Sequence, residues 1–262
     1  MKIAVLGCGP AGLFAVHAAS TAGHDVVCFS RPRKSFMRGA QYLHRPIPGL
    51  SVDPFKIEYS LEGTIEGYRT KVYGDMSDIN VSPETLVGVS DAWDIREAYD
   101  AAWERYGSGV YNFQIADTSD RAISDIVTSS DLVISTVPAR ILCQNPTHEF
   151  IVQKVWSTDF VRSRGDFQND QGEDLDNLVV CSGDPSDWWY RASRIQGWEN
   201  TEYPHDRKPN TDRVWEIEKP ILTDCSCHPD IRRMGRYGAW KKGVLSDAAY
   251  YDTLELLRGK TL

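Results

Sequence analysis

Six residues near the start constrain this chain more than any others. Gly7-Cys8-Gly9-Pro10-Ala11-Gly12 fits G-x-G-x-x-G. The hexapeptide alone is a weak signal, but here it follows the apolar run KIAVL (residues 2–6) and opens a helical stretch, Pro10 to Ala22. A second apolar run, DVVCF (residues 25–29), completes a strand–turn–helix–strand unit of about thirty residues, the length of a βαβ motif. Each glycine has a task in such a unit. Gly7 permits the tight turn, Gly9 lets the backbone approach a pyrophosphate, and Gly12 lets the helix pack close to the sheet. The helix start offers free N–H groups and a positive dipole end, with Pro10 and Ala11 in its first turn. The motif predicts a dinucleotide-binding parallel α/β domain.

The end of the second strand normally carries an acid that binds the adenosine ribose. Here it is Ser30, followed by Arg31 and Arg33. An arginine in place of the acid is one way of accommodating the 2′-phosphate of NADP. On this motif alone NADP competes with other dinucleotides, and a solvated basic loop is the plainer reading of the arginines.

The 262 residues exceed one ordinary core but are short for two full domains, so we expect a substrate-binding insertion in a nucleotide-binding domain. A net charge of −8 offers no electrostatic footprint for nucleic acid, leaving only a local basic groove as a route to it. No apolar run reaches about 18 residues, so no membrane span is expected. The start lacks the pattern of a signal peptide, and the six cysteines are scattered rather than framed as disulfides. A reducing, cytoplasmic setting follows as the expectation.

Farther along, FKIEYSLEG and YRTKVYG read as β-like runs, 93–106 as an amphipathic helix, 111–116 as a strand, 121–129 as a helix, and DLVIST (131–136) as a buried strand stopped by Pro138. HEFIVQKVW, NLVVCSG and the tryptophan-rich run after it read as antiparallel strands, and 245–258 as a C-terminal helix. The expected fold class is α/β, a Rossmann-like domain with a parallel sheet and an inserted, mainly antiparallel β substrate domain. Its expected division is 1–48, 107–140 and 229–262 for the nucleotide domain, with 49–106 and 141–228 inserted.

Three segments resemble FAD-dependent enzymes of the glutathione-reductase-type fold, particularly the amine-oxidase and UDP-galactopyranose-mutase branch. They are AVLGCGPAGLFAVHAASTAGHDVVCFS, then Arg38-Gly39-Ala40-Gln41-Tyr42, and Met234-Gly235-Arg236-Tyr237-Gly238-Ala239-Trp240. They lie at the two ends of the chain and in the loop after the second strand. The resemblance implies FAD held in extended form between both ends of the chain. It would touch Gly7, Gly9, Pro10, Ala11, Gly12, Ser30, Arg31, Arg38, Gly39, Ala40, Gln41, Val137, Gly235, Arg236, Tyr237 and Trp240. Ser30 departs from that family's acid.

Trp188-Trp189-Tyr190-Arg191 forms an aromatic and basic cluster suited to a flat or anionic ligand over a flavin ring, although tryptophans equally fill cores. His44, after the Gly39-Ala40 turn, titrates near neutrality and would move protons. Lys241 would stabilise a reduced flavin, and Arg191 would clamp substrate. Cys225-Ser226-Cys227-His228 does not make a complete tetrahedral set, and no second pair has zinc-site spacing, so no metal is expected.

The expected function is FAD-dependent oxidation of an amine or related C–H/C–N centre of a small or base-like substrate, with hydride passing to flavin N5. One alternative is a flavin lyase or mutase without net redox, for example one trimming amino-acid groups on modified thymine in phage DNA. The others are an NADP-dependent reductase and a cofactor-binding protein without catalysis.

Overall fold

The computed structural model describes residues 1–31, 41–74, 79, 81–112, 120–161, 167–168, 171–172 and 175–259. The chain runs β1 (Lys2–Leu6), α1 (Pro10–Thr21), β2 (Asp25–Ser30), β3 (Tyr42–Leu43), β4 (Phe55–Glu62), α2 (Ile65–Tyr73), β5 (Gly88–Asp94) and α3 (Ile95–Tyr106). It continues through β6 (Val110–Asn112), α4 (Asp120–Thr128), β7 (Leu132–Ser135), α5 (Ala139–Leu142), β8 (Phe150–Thr158), β9 (Leu178–Ser182) and β10 (Arg191–Ile195). The last elements are β11 (Trp198–Pro204), β12 (Val214–Thr223), β13 (Ile231–Arg233), α6 (Gly235–Ala239) and α7 (Ala248–Gly259).

A five-stranded sheet, in the order β13-β7-β1-β2-β6, is parallel at every pairing. Its central strands read as near-continuous apolar runs because helices cover both faces. On one face α1 packs against α3 and α7, burying Leu13 and Phe14 with Ile95, Ala98, Ala249 and Leu257. On the other, Ile123 and Ile126 of α4 meet Ala4, Leu6 and Val133. This is the doubly wound arrangement expected of a Rossmann-like domain.

An eight-stranded sheet, in the order β12-β8-β11-β10-β9-β4-β5-β3, makes up the rest. Its pairings are antiparallel except β4 with β9. The fold class is therefore a parallel Rossmann-like sheet joined to a mainly antiparallel β region.

Three local expectations change. YRTKVYG, read as β-like, lies in α2 up to Tyr73, with Gly74 as its C-cap. Thr64 caps that helix by accepting from the Gly67 N–H at 3.0 Å, and Tyr68 and Val72, four apart, bury one face. The helix expected from residue 93 starts at Ile95, because the Asp94 carboxylate caps the Arg96 and Glu97 amides while Trp93 pairs with Leu43. The C-terminal helix starts at Ala248. Of the strand expected over 111–116, residues 113–116 lie outside the described residues.

Candidate functional site

The ends of β1, β2, β7 and β13 converge on the first turn of α1. Gly7 sits at φ +97°, a conformation open mainly to glycine, and its N–H donates to the Phe29 carbonyl at 2.8 Å. A Cβ on Gly12 would lie 1.8 Å from the Gly7 carbonyl oxygen, so helix and strand approach each other as only glycine allows. Gly9 differs. It is the N-cap of α1 in an extended conformation (φ −68°, ψ 178°), and no heavy atom lies within 4 Å of a Cβ built on it. The chain itself imposes no need for glycine there. Pro10 at the first helical position lacks an N–H, and the Ala11 and Gly12 amides have no intrahelical acceptor. The result is an open amide cradle.

Side chains brace this cradle from behind. Ser30 Oγ accepts from the Cys8 N–H at 3.0 Å, and the Tyr99 hydroxyl donates to the Cys8 carbonyl at 2.9 Å. Burial pushes the Cys8 and Cys28 thiols up, which keeps both protonated and inert. Ser30 thus has a structural task, and Arg31 beside it is exposed. Val137 follows β7, with its Cγ1 at 3.2 Å from a Cβ built on Gly7.

The distant C-terminal turn reaches the same place. Gly235, at φ +69°, begins α6 so close to α1 that a Cβ on it would lie 2.8 Å from the Ala11 Cβ. A Cβ on Gly238 would lie 2.5 Å from the Ser135 carbonyl oxygen, which holds α6 across the end of β7. Among the described residues, the Nε of Arg236 is buried without a hydrogen-bond partner. An open cradle with a second turn seated on it fits an extended dinucleotide bearing a diphosphate.

Within the large sheet, on and beside β10, β11 and β12, lies a buried polar knot. Glu202 is 0% exposed and receives both carboxylate contacts from Lys219 Nζ at 2.6 Å. The Tyr190 hydroxyl donates to it at 2.7 Å, and Arg191 Nε lies 3.2 Å away. Burial opposes ionisation of Glu202, yet Arg191 and Lys219 outweigh it and hold the carboxyl at about 2. Burial brings Lys219 down to about 8, with Glu202 opposing and Arg191 and Arg236 adding to the fall. At neutral pH the pair is therefore charged. The Tyr42 and Tyr59 hydroxyls hydrogen-bond to each other nearby, and Gln41 receives a 2.7 Å bond from Ser193. Burial lowers the His44 pKa; Asp247 works against that shift and Arg191 adds to it. His44 is thus a neutral imidazole at pH 7, able to accept a proton.

The structure distributes the remaining expected residues unevenly. Tyr237 donates to the Glu218 carbonyl at 3.0 Å. Trp240 is 1% exposed and its indole N–H donates to the Ile151 carbonyl, so it packs α6 onto β8. Lys241 is exposed. Of the tryptophan-rich run read as a strand, β10 begins only at Arg191. Trp188 is exposed, while Trp189 and Tyr190 are buried in two different hydrophobic clusters. Arg38, Gly39 and Ala40 lie outside the described residues. Sequence reading missed Glu202, Lys219, Tyr42 and Tyr59.

No protein-family profile matches the sequence, and no curated protein matches it. Solved structures do. The p-nitrophenol 4-monooxygenase PnpA from Pseudomonas putida DLL-E4 superposes with a TM-score of 0.56 at 12% identity, over 98% of this chain and 78% of that one. The tetrameric form of 2-methyl-3-hydroxypyridine-5-carboxylic acid oxygenase gives 0.51 at 14% identity, over 98% and 87%. At these identities the likeness establishes the fold.

Proposed function

We propose that this chain is an FAD-dependent oxidoreductase, holding the dinucleotide in extended form along the C-terminal edge of the parallel sheet and a small substrate beneath the large sheet. One observation carries the reading: Gly235 seats on Ala11 beside the open face of Gly9, so both ends of the chain meet at one amide cradle. FAD supplies two-electron chemistry when bound. The chain's own groups do the rest. The Ala11 and Gly12 amides hold the diphosphate, and Arg236 adds a cation to that edge. Gln41, Tyr237 and Val137 border the bound group. Arg191 and Lys219, held by Glu202, border the substrate region, where their positive charge would favour the neutral form of an amine. His44 accepts the proton released as substrate is oxidised.

The substrate we favour is an amine or related C–H/C–N centre on a small or base-like molecule, for which FAD, when bound, would supply the hydride acceptor. The fold supports a second reading, oxygen insertion, since its two structural neighbours are an oxygenase and a monooxygenase. Trp188 and Trp189 do not form a shared wall with Tyr190, which removes the main support for base stacking by that segment. Among the described residues no helix is long and apolar enough to cross a membrane.

The test is cofactor extraction and mass identification, then oxygen uptake. An amine oxidase consumes O₂ with substrate alone, whereas a monooxygenase also requires NAD(P)H. Turnover without either would point to a lyase or mutase. A protein that purifies without flavin, takes up none on reconstitution and instead binds NADPH would overturn the proposal.

A further inference from the structure

Three sulfurs and one imidazole meet on the side of the molecule where the chain passes between its two sheets. Cys143 follows α5 on the way out from β7 to β8, and His148 lies five residues on. Cys225 and Cys227 lie on the way back, between β12 and β13. All four side chains are half-buried, and one ligand atom from each falls within 4.8 Å of the others. The Cys143 and Cys227 sulfurs are 3.9 Å apart. His148 Nδ1 lies 3.4 Å from the Cys143 sulfur and 3.5 Å from that of Cys227.

These separations match a metal rather than a disulfide. A tetrahedral zinc with ordinary bond lengths places its sulfurs about 3.8 Å apart and sulfur and nitrogen about 3.6 Å apart. A disulfide needs about 2.05 Å between sulfurs, and all the cysteines are free. We infer that Cys143, His148 Nδ1, Cys225 and Cys227 bind one Zn²⁺ in a closed tetrahedral site that ties the two sheet-to-sheet crossings together.

The surroundings suit that ion. Three thiolates and Zn²⁺ leave one negative charge, and Arg233 stands against it. Its Nη2 donates to the Cys225 sulfur at 3.4 Å and to the Cys227 carbonyl at 2.7 Å, while Nη1 donates to the Cys225 carbonyl at 3.0 Å. The loop bearing two ligands is thereby shaped in advance, and an outer-shell donor faces a thiolate. The crossings already touch: Thr223 Oγ1 donates to the Glu149 carbonyl, and the Glu149 N–H donates to Asp224 Oδ1. Four protein ligands leave no open position, so the ion is structural. Cys and His ligands favour Zn²⁺ over Mg²⁺ or Ca²⁺. Asn145 Nδ2 lies 3.3 Å from His148 Nε2, so metal binding at Nδ1, which puts the ring proton on Nε2, turns that exposed amide.

The experiment is elemental analysis of the full chain purified without chelator, with Co²⁺ substitution. The expected result is one zinc per chain, released by a thiol-blocking mercurial, and a cobalt form with a thiolate charge-transfer band and tetrahedral d–d bands. His148→Ala loses the stoichiometric metal. His148→Cys retains it with a shifted cobalt spectrum, which covers the case where a deletion variant fails to fold. Folded wild-type protein that takes up no zinc on reconstitution, or an octahedral cobalt spectrum, overturns the inference. Metal content is read whether or not flavin is bound, so this outcome is separable from the fate of the flavin proposal.

Discussion

Gly9→Val separates a cofactor contact from a folding requirement. The residue sits in an extended conformation that any L-residue adopts, and its Cβ position is open for 4 Å. The substitution should leave the apoprotein folded. A diphosphate lying against Gly9 would instead meet two methyl groups and withdraw from the amides beyond. Losing two charge-assisted hydrogen bonds, each worth ~1.5–3 kcal/mol, costs about 3–6 kcal/mol. That is a rise in Kd of roughly 10²–10⁴-fold. The assay is titration of apoprotein with FAD, read by flavin fluorescence, beside thermal unfolding of both apoproteins. The expected pattern is weakened binding with an unchanged apoprotein Tm. Gly12→Val is the contrast: its Cβ would collide with the Gly7 carbonyl at 1.8 Å, so it should lower the apoprotein Tm whether or not FAD is present. Gly9→Val protein that keeps wild-type FAD affinity would refute the cradle.

Other perturbations probe the rest of the site. Glu202→Gln leaves Lys219 a buried, uncompensated cation with the half-buried Arg191 beside it and should destabilise by about 3–5 kcal/mol in urea unfolding, whereas Glu202→Gln combined with Lys219→Met should recover much of the loss. The folded chain gives up the Lys219 proton near pH 8, while the unfolded chain keeps it to about 10.4. The unfolded state therefore binds more protons in that window, and stability conferred at this residue rises with pH. Between pH 8 and about 9.5 the wild-type unfolding free energy should climb relative to that of Lys219→Met; a parallel pair of curves would contradict this. The acidic limb of kcat/KM should lie below the ordinary histidine value of ~6.5 if His44 accepts the proton, and should vanish in His44→Gln. Gly238→Ala places a methyl 2.5 Å from the Ser135 carbonyl, so it should lift α6 from β7 and weaken FAD binding more than it lowers the apoprotein Tm.

What the sequence disclosed and what it hid divide along a physical line. The cradle was legible because all its parts lie within one βαβ unit, where strand, glycines and helix start are fixed by spacing alone. Gly235 was found by resemblance, since nothing in its spacing says that it will rest on Ala11. α2 was misread because YRTKVYG carries β-branched and aromatic residues, and the Thr64 cap and the Tyr68–Val72 spacing that overrule them are weaker local signals. Cys143 and His148 were not connected to Cys225 and Cys227 because zinc-site spacing is read within one segment, while these pairs come from two crossings some 80 residues apart (84 between Cys143 and Cys227).

The Glu202 knot, by contrast, had a readable signal. Ile195 and Trp198 flank Gln196-Gly197, and a two-residue hairpin loop fixes the register of both strands. Gln196 and Gly197 both adopt positive φ (49° and 72°), as the type I′ turn of such hairpins requires. With Ile195 opposite Trp198, counting outward puts Ser193 opposite Asn200 and Arg191 opposite Glu202, the pairing that the sheet adopts. The count makes Arg191 and Glu202 a cross-strand ion pair with Tyr190 one residue back, but not a buried one: Lys56 and Asp91 face each other across β4 and β5 in the same way and are exposed. Lys219 lay beyond that reach. It enters on β12, which pairs with β8 and not with β11, so no count along one hairpin leads to it. The limit was therefore how many strand pairings had to be known at once: one for Arg191 and Glu202, three for Lys219, the second cation on the Glu202 carboxylate.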